Sequence, residues 1–359
     1  MPVDLHLSGV YTNLVPGPVI PFGFVVFGLR CNLALSSTTL APAILSEIET
    51  IFVVIPVFND WESCQLLVEA IREKSEPRFF QKLCFCWVND GSFDEPPTSL
   101  LRKDGQDFFV DLTRNVGHQK AIALGISYVA KYFPGQPIIV MDADGEDQPA
   151  HLQQLVDAGL KENRIVFARR TKRHEGFVFQ FFYRIYKMVF RMLTGKAIAF
   201  GNFSFIPGRL SVKVAHVSEI WNHFSGGIIK SRIPYTSIPL ERGRRLAGES
   251  KMNFTSLVLH GLSAVAVHAD TMAVRLMLMC IGLVVLSGLS ISAVAMIKLF
   301  TPFASPGWAT TVVTGLSSII MQSFLISLLL LFVVLMYRTQ RLFIPAKDYS
   351  DYISRIIKG

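Results

Sequence analysis

Between Ile51 and about Leu160 the chain alternates short apolar runs with stretches of helical periodicity. Ile51–Phe58 is apolar throughout and rich in β-branched residues, the pattern of a strand buried on both faces of a sheet. Cys84–Val88, Phe108–Leu112 and Ile138–Met141 repeat that pattern, and Trp61–Lys74 and His118–Tyr132 read as helices between them. Strand–helix alternation predicts a doubly wound, mostly parallel α/β sheet. A polar cluster follows each apolar run: Asn59-Asp60, Asn89-Asp90-Gly91, Thr113-Arg114-Asn115 and Asp142-Ala143-Asp144. Ligands of such sheets bind outside the carboxyl ends of the strands, so the four clusters are expected to converge on one site.

The C-terminal third follows a different rule. Leu276–Ile297 and Thr310–Tyr337 are uncharged over about 22 and about 27 residues. About 20 apolar residues span a bilayer as a helix, and neither stretch carries an amphipathic stripe. The link Lys298–Ala309 contains Pro302, Pro306 and Gly307 and reads as a turn, so the two spans form a hairpin. Arg275 precedes the first span, and Arg338, Arg341 and Lys347 follow the second, against Lys298 alone in the turn. The positive-inside rule then places both ends, and the α/β domain, in the cytoplasm. Phe177–Leu193 interleaves Arg184, Lys187 and Arg191 with aromatic residues, as a basic helix at a membrane interface does. Phe254–His268 reads as a second interfacial helix. Residues 1–48 carry no basic region ahead of their apolar stretch and are expected to be an extension, disordered or packed, and not a secretory signal.

Composition agrees with a membrane-bound protein. Only 17% of the 359 residues are charged, 51% are hydrophobic and the mean hydropathy is +0.41. Five cysteines are too scattered for a disulfide scaffold, and the eight histidines show no zinc-ligand spacing. The net charge of +8 could serve nucleic acid, but an acidic strand edge and a membrane hairpin fit that partner poorly.

Asp142-Ala143-Asp144 is the central chemical motif. Side chains two apart in an extended segment point the same way, and two hard oxygen ligands suit Mg²⁺ or Mn²⁺. Glu146 and Asp147 add two more acids, and so much negative charge in a basic protein calls for a counter-cation. The plainer alternative is a solvated acidic turn before Pro149. Asp90-Gly91-Ser92 offers a carboxylate to a base or ribose, or is simply a turn. Arg169, Arg170, Lys172 and Arg173, and Arg242, Arg244 and Arg245, are clusters suited to phosphate.

Taken in order, Val54-Ile55-Pro56-Val57-Phe58-Asn59-Asp60, Val88–Asp94, Arg114-Asn115-Val116-Gly117-His118-Gln119 and Met141–Asp147 resemble glycosyltransferase family 2. With Arg245-Leu246-Ala247-Gly248-Glu249-Ser250-Lys251 and the hairpin, the chain resembles the polyprenyl-phosphate glycosyltransferases, the group of dolichyl-phosphate mannose synthase and its GtrB-type relatives. The resemblance implies a GT-A, Rossmann-like catalytic domain over residues 49–250, an interface helix at 251–271, two spans within 272–338 and a cytoplasmic tail at 339–359. It implies metal-dependent, inverting transfer of a hexose from a nucleotide-sugar to undecaprenyl or dolichyl phosphate, at a bacterial inner membrane rather than the endoplasmic reticulum. Pro56, Asn59, Asp60, Asp90, Arg114 and Asp142 match donor-binding positions. Asp142, Asp144 and Glu146 form the expected metal set, with Glu146 in place of the usual Gln. Asp144, Asp147 and Arg245 are the expected catalytic residues, and Arg245, Ser250 and Lys251 are expected to bind phosphates.

Two departures stand out. Phe200-Gly201-Asn202-Phe203-Ser204 replaces a usual Thr-Gly-Asp-Phe-Arg segment, and Asn89 replaces a frequent Asp. A lipid phosphate is already anionic near neutral pH and needs little help from a base, so the lost acid need not abolish transfer. The rival readings are a family 2 enzyme with another lipid or glycan acceptor, and a non-catalytic membrane scaffold. A processive synthase would want a Gln-x-x-Arg-Trp motif, which the chain lacks. Two spans per chain suit self-association into a homo-oligomer.

Overall fold

The computed structural model describes residues 48–102, 106–170, 200–247, 261–301, 307–340 and 342–359, with Arg184, Met188 and 190–195 between. The expected extension at 1–48, apart from Ile48, and most of the helix at 177–194 therefore lie outside the described residues, as do 248–260. The strands are β1 (Ile51–Val57), β2 (Leu83–Asn89), β3 (Phe108–Leu112), β4 (Ile138–Val140), β5 (Ile165–Arg170), β6 (Ser204–Ile206), β7 (Tyr235–Leu240) and β8 (Ile353–Lys358). The helices that shape the argument are α1 (Trp61–Lys74), α2 (Pro77–Lys82), α3 (His118–Tyr132), α4 (Leu152–Glu162), α5 (Gly208–Ala215), α6 (Phe224–Ser231), α7 (Ala269–Phe300) and α8 (Trp308–Thr339).

One sheet has the order β7-β5-β6-β4-β1-β2-β3-β8. β4, β1, β2 and β3 pair in parallel, β5 and β7 run the same way, and β6 and β8 are antiparallel to their neighbours. Successive residues of a strand face opposite sides, and the core follows that alternation. Phe52, Val54, Cys86, Val88 and Val110 pack under α3, whereas Ile51, Val53, Ile55, Phe85 and Trp87 pack under α1 and α4. Burial on both faces explains why these strands read as continuous apolar runs. Gly125 lets α3 lie directly on the sheet, because a Cβ there would stand 2.6 Å from both Val54 Cγ1 and Val88 Cγ2.

α7 and α8 have mean hydropathies of 2.3 and 2.7, and only 6% of each apolar window is buried. That burial rules out core helices, which would hide such surface; these two helices carry it outward, as membrane spans do. Their contact follows a seven-residue repeat: Ala273, Cys280, Ser287 and Val294 are the buried residues of α7. Small side chains at that spacing allow close helix packing where the hydrophobic effect gives no drive.

Within the expected tail at 339–359, Pro345–Lys358 instead packs into the α/β domain. β8 joins the sheet antiparallel to β3, with Phe108 opposite Lys358 and Leu112 opposite Ile353. Arg355 fixes the edge through Asp111, 2.5 Å away, and through Glu95. The chain thus leaves the domain, runs through the two apolar helices and returns to the same sheet, so both ends of the hairpin lie on the domain's side.

Gly125→Ala is expected to destabilise the domain by about 1–3 kcal/mol, despite the better helix propensity of Ala, because the two valines sit in packed core. Thermal unfolding of the detergent-solubilised variant checks this; an unchanged or raised midpoint contradicts the packing.

Candidate active site

Strand order reverses between β1 and β4, and in open α/β sheets that switch point opens a crevice at the carboxyl edge. Asp60 follows β1 and Asp142-Ala143-Asp144 follows β4, so the acids flank the crevice from either side. The acidic loop is held by its own carboxylates. Asp147, buried, accepts from the backbone N–H of Asp142 at 3.0 Å, and Asp144 Oδ1 accepts from that of Glu146 at 3.0 Å. Gly145, with φ of +78°, lets Leu246 pack where a Cβ would meet Leu246 Cγ at 2.3 Å.

The counter-charges come from across the fold. β7 runs parallel to β4 three strands away, about 14 Å at the usual strand spacing. The segment after its end crosses back to the crevice. Gly243 N–H donates to Glu146 O at 2.8 Å and Leu246 N–H to Asp144 O at 2.9 Å, pinning 242–247 on the acidic loop. Arg245 lies between the two sides: Nη2 is 2.8 Å from Asp60 Oδ2, Nη1 is 3.4 Å from Asp144 Oδ2, and Nε donates to Ala247 O at 3.0 Å. Arg242 forms an ion pair with Glu146. His118, at the start of α3, places Nε2 2.9 Å from Asp142 Oδ1. Burial lowers the His118 pKa, but the charge and hydrogen bond of Asp142, with Asp147 and Asp90 behind it, outweigh this and raise it.

Charge balance at the loop is therefore met in large part by the protein's own cations, and not by a metal alone as the run of acids suggested. Glu146, expected among the metal ligands, is engaged by Arg242. Asp147, expected to be catalytic, is buried and holds the loop's shape. Among the described residues no three His, Cys, Asp or Glu side chains gather as a metal cage. The donor set that remains, Asp142 and Asp144 at a strand end, fits the way Mg²⁺ binds phosphate ligands, through one or two carboxylates with phosphate and water completing the shell.

A second polar group sits at the ends of β1 and β2. Asp90, 3% exposed, accepts from the N–H of Val116 at 2.7 Å and of Gly117 at 3.0 Å. Desolvation pushes its carboxyl up, although both hydrogen bonds oppose the shift. Asp90 thus anchors the Arg114–Gly117 loop rather than reaching outward to a base. Gly91 allows this approach, since a Cβ would lie 2.5 Å from Asn115 N. Asn89 donates from Nδ2 to Asp111 Oδ1 at 3.0 Å. An aspartate there would set two carboxylates against each other, which accounts for the departure from the usual acid. Asn59, with φ of +49°, fastens the neighbouring turn: its N–H donates to Ser92 Oγ at 2.9 Å and its Oδ1 accepts from Phe93 N–H at 2.8 Å.

Pro56 is buried within β1 opposite Val88, and Arg114 is exposed beside the Asp90 loop. Ser250 and Lys251 lie outside the described residues, as do Lys172 and Arg173. Asn202 is brought to α3, where Gln119 Nε2 donates to Asn202 Oδ1 at 3.2 Å while Gln119 Oε1 accepts from Phe224 N–H at 2.7 Å. His118 and Gln119 went unassigned on sequence alone; the signal for both was their position directly after Gly117 at a helix start. A shallow, open cleft lies between the loop and β7, lined by Glu146, Asp147, Gln148, Phe203 and Arg242 among others.

An open, mostly parallel α/β sheet with an acidic pair at its switch point is the arrangement expected of a GT-A-like domain. Residues 52–221 match the family model described as glycosyl transferase family 2. The chain thus carries a family 2 glycosyltransferase domain, followed by two long apolar helices. It is 29% identical over 281 residues to the uncharacterized glycosyltransferase YkcC of Bacillus subtilis (strain 168), spanning 74% of this chain and 82% of that protein. It is 25% identical over 278 residues to the undecaprenyl-phosphate 4-deoxy-4-formamido-L-arabinose transferase of Salmonella choleraesuis (strain SC-B67), spanning 74% and 80%.

Arg245→Ala is expected to release the 242–247 segment from the acidic loop. Limited trypsin digestion should then cut after Arg242 and Arg244 several-fold faster than in the wild type; equal rates would mean the backbone bonds alone hold the segment.

Proposed function

We propose that this glycosyltransferase moves a sugar from a nucleotide-sugar to a polyprenyl phosphate at the membrane surface, with inversion at the anomeric carbon. One observation carries the reading: the acidic pair and the base of the hairpin share one edge of the sheet. Leu112, at the carboxyl end of β3, faces Ile353, where the chain comes back from α8. Lys230 of α6 lies 3.3 Å from Asp270 in the first turn of α7. Arg275 of α7 donates to Met192 O at 2.8 Å, and Phe190 packs on His268 with ring centroids 6.0 Å apart. These contacts support an interfacial place for the described end of the 177–194 helix. The Salmonella relative is named for transfer to undecaprenyl phosphate, which supports the acceptor class.

In this reading the donor lies across the crevice with its diphosphate at Asp142 and Asp144, which would hold Mg²⁺ or Mn²⁺. A cation held there would neutralise the diphosphate and supply Lewis-acid help to its departure. His118 and Asp147 keep Asp142 in place, and Asp90 sets the loop beneath the nucleoside. Arg245, with Ser250 and Lys251 following it in sequence, turns from the carboxylates to the phosphates of donor and acceptor. A phosphate oxygen of the lipid attacks the anomeric carbon, the bond from that carbon to the diphosphate oxygen breaks, and a nucleoside diphosphate leaves. The anionic phosphate loses no proton in the attack, which suits a site where Asn202 stands in place of an acid and Asp147 is buried. Both ends of the hairpin then face the cytoplasm, with the bacterial inner membrane as the setting.

The test is the full chain in vesicles containing polyprenyl phosphate, supplied with a panel of nucleotide-sugars and Mg²⁺ or Mn²⁺. One donor is expected to yield lipid-linked sugar and its nucleoside diphosphate. Asp144→Asn should lower kcat by about 10²-fold or more. Lipid-linked product formed equally well by that variant, or by no donor at all, contradicts the proposal.

A further inference from the structure

Phe93 is the most exposed of the large hydrophobic side chains in the described residues, at 89%, yet it sits on a turn built to hold it still. Its N–H donates to Asn59 Oδ1 at 2.8 Å, Ser92 N–H donates to Asn89 Oδ1 at 3.0 Å, and Asp94 O accepts from Trp61 Nε1 at 3.3 Å. The residue is thus fixed from β1, from β2 and from α1. Its ring lies 6.2 Å from that of Phe58, itself partly exposed at the end of β1. A phenyl presented to water from a turn whose backbone is pinned keeps its hydrophobic cost without a packing return, which points to a partner that arrives later.

Two partners could cover it, a flat heterocycle or the acyl region of the bilayer, and its place in the fold favours the first. Among the described residues most side chains at the root of the hairpin pack on the α3 face of the sheet: Phe224 and Ile228 of α6, Tyr349, and the partly buried Trp221 and Tyr352, although Ile357 of β8 packs on the other face and Arg355 of β8 meets Glu95. The Phe93 turn is tied to Trp61, which packs on the opposite face with α1. Phe93 stands three residues beyond Asp90 on the carboxyl edge that holds the crevice, beside Phe58 at the end of β1, the strand that borders the switch point. Resting on the donor-site reading above, we infer that Phe93 is a specificity residue: its ring stacks on the heterocyclic base of the donor nucleotide, beside Phe58. Aromatic faces accept any base by stacking, so Phe93 sets affinity for a nucleoside over a bare diphosphate more than it selects among bases.

Calorimetry on the full chain with UDP, GDP, CDP, ADP and dTDP, and with inorganic pyrophosphate, tests this in the presence of Mg²⁺. Phe93→Ala is expected to weaken the nucleoside diphosphate that the wild type binds by about 5- to 100-fold and to leave pyrophosphate unchanged. Phe93→Tyr should retain binding. In the vesicle assay the donor KM should rise by the same factor with kcat and the polyprenyl-phosphate KM unmoved. Unchanged nucleotide binding, an equal loss for pyrophosphate, or a change confined to the lipid KM overturns the assignment. A wild type that binds none of the five nucleotides overturns the donor-site reading itself, so the two failures are distinguishable.

Discussion

The bridge from Arg245 to Asp60 and Asp144 is the constraint on which the rest of the site depends. It joins the end of β1, the end of β4 and the segment after β7, which are 185 and 101 residues from Arg245 in sequence. A carboxylate on each side of the crevice would repel its partner across a few ångströms, and the planar guanidinium answers both at once with separate N–H groups. The side chains are about one-fifth exposed, so the pairing is worth little as stability. Its value lies in geometry. A cation brought from across the fold keeps the acids poised, and the same guanidinium suits the phosphates that a metal held there would attract.

A second constraint is the shared edge. Parallel strands deliver their carboxyl ends to one side of the sheet, and antiparallel β8 begins on that side because its partner β3 ends there. The hairpin is therefore rooted beside the crevice by the direction of a single edge strand. Lys230 reinforces the root by meeting Glu219 at 3.4 Å as well as Asp270. In the reaction proposed above, a soluble donor and a lipid-bound acceptor would meet at this edge.

The polar interior shows how departures from a family pattern are absorbed. Asn89 supplies an amide donor to Asp111, and Asn202 supplies a carbonyl to Gln119, whose other end holds the start of α6. Each change from acid to amide removes a charge and leaves a hydrogen bond satisfied, which is the arrangement buried polar groups require.

The sequence by itself determined the elements whose signal is local. Strands buried on both faces must be apolar throughout, so Ile51–Val57 and Leu83–Asn89 declared themselves, as did helices with the spacing of Trp61–Lys74 and His118–Tyr132. Spans of bilayer length declared themselves for the same reason, and an Asp-x-Asp at a strand end marked the chemistry. Only the tertiary structure decided what depends on partners distant in sequence. Ile353–Lys358 mixes Arg355 and Lys358 with isoleucines because an edge strand needs one covered face, so it read as a cytoplasmic tail until β3 stood beside it. Four neighbouring acids appeared to demand a metal because Arg242, Arg245 and His118 are brought to them by strand order and loop path, which no local pattern encodes. Asp90 turned inward for a similar reason: two backbone N–H groups of a later loop claim its oxygens, and unpaired N–H donors in a folding chain take the nearest carboxylate.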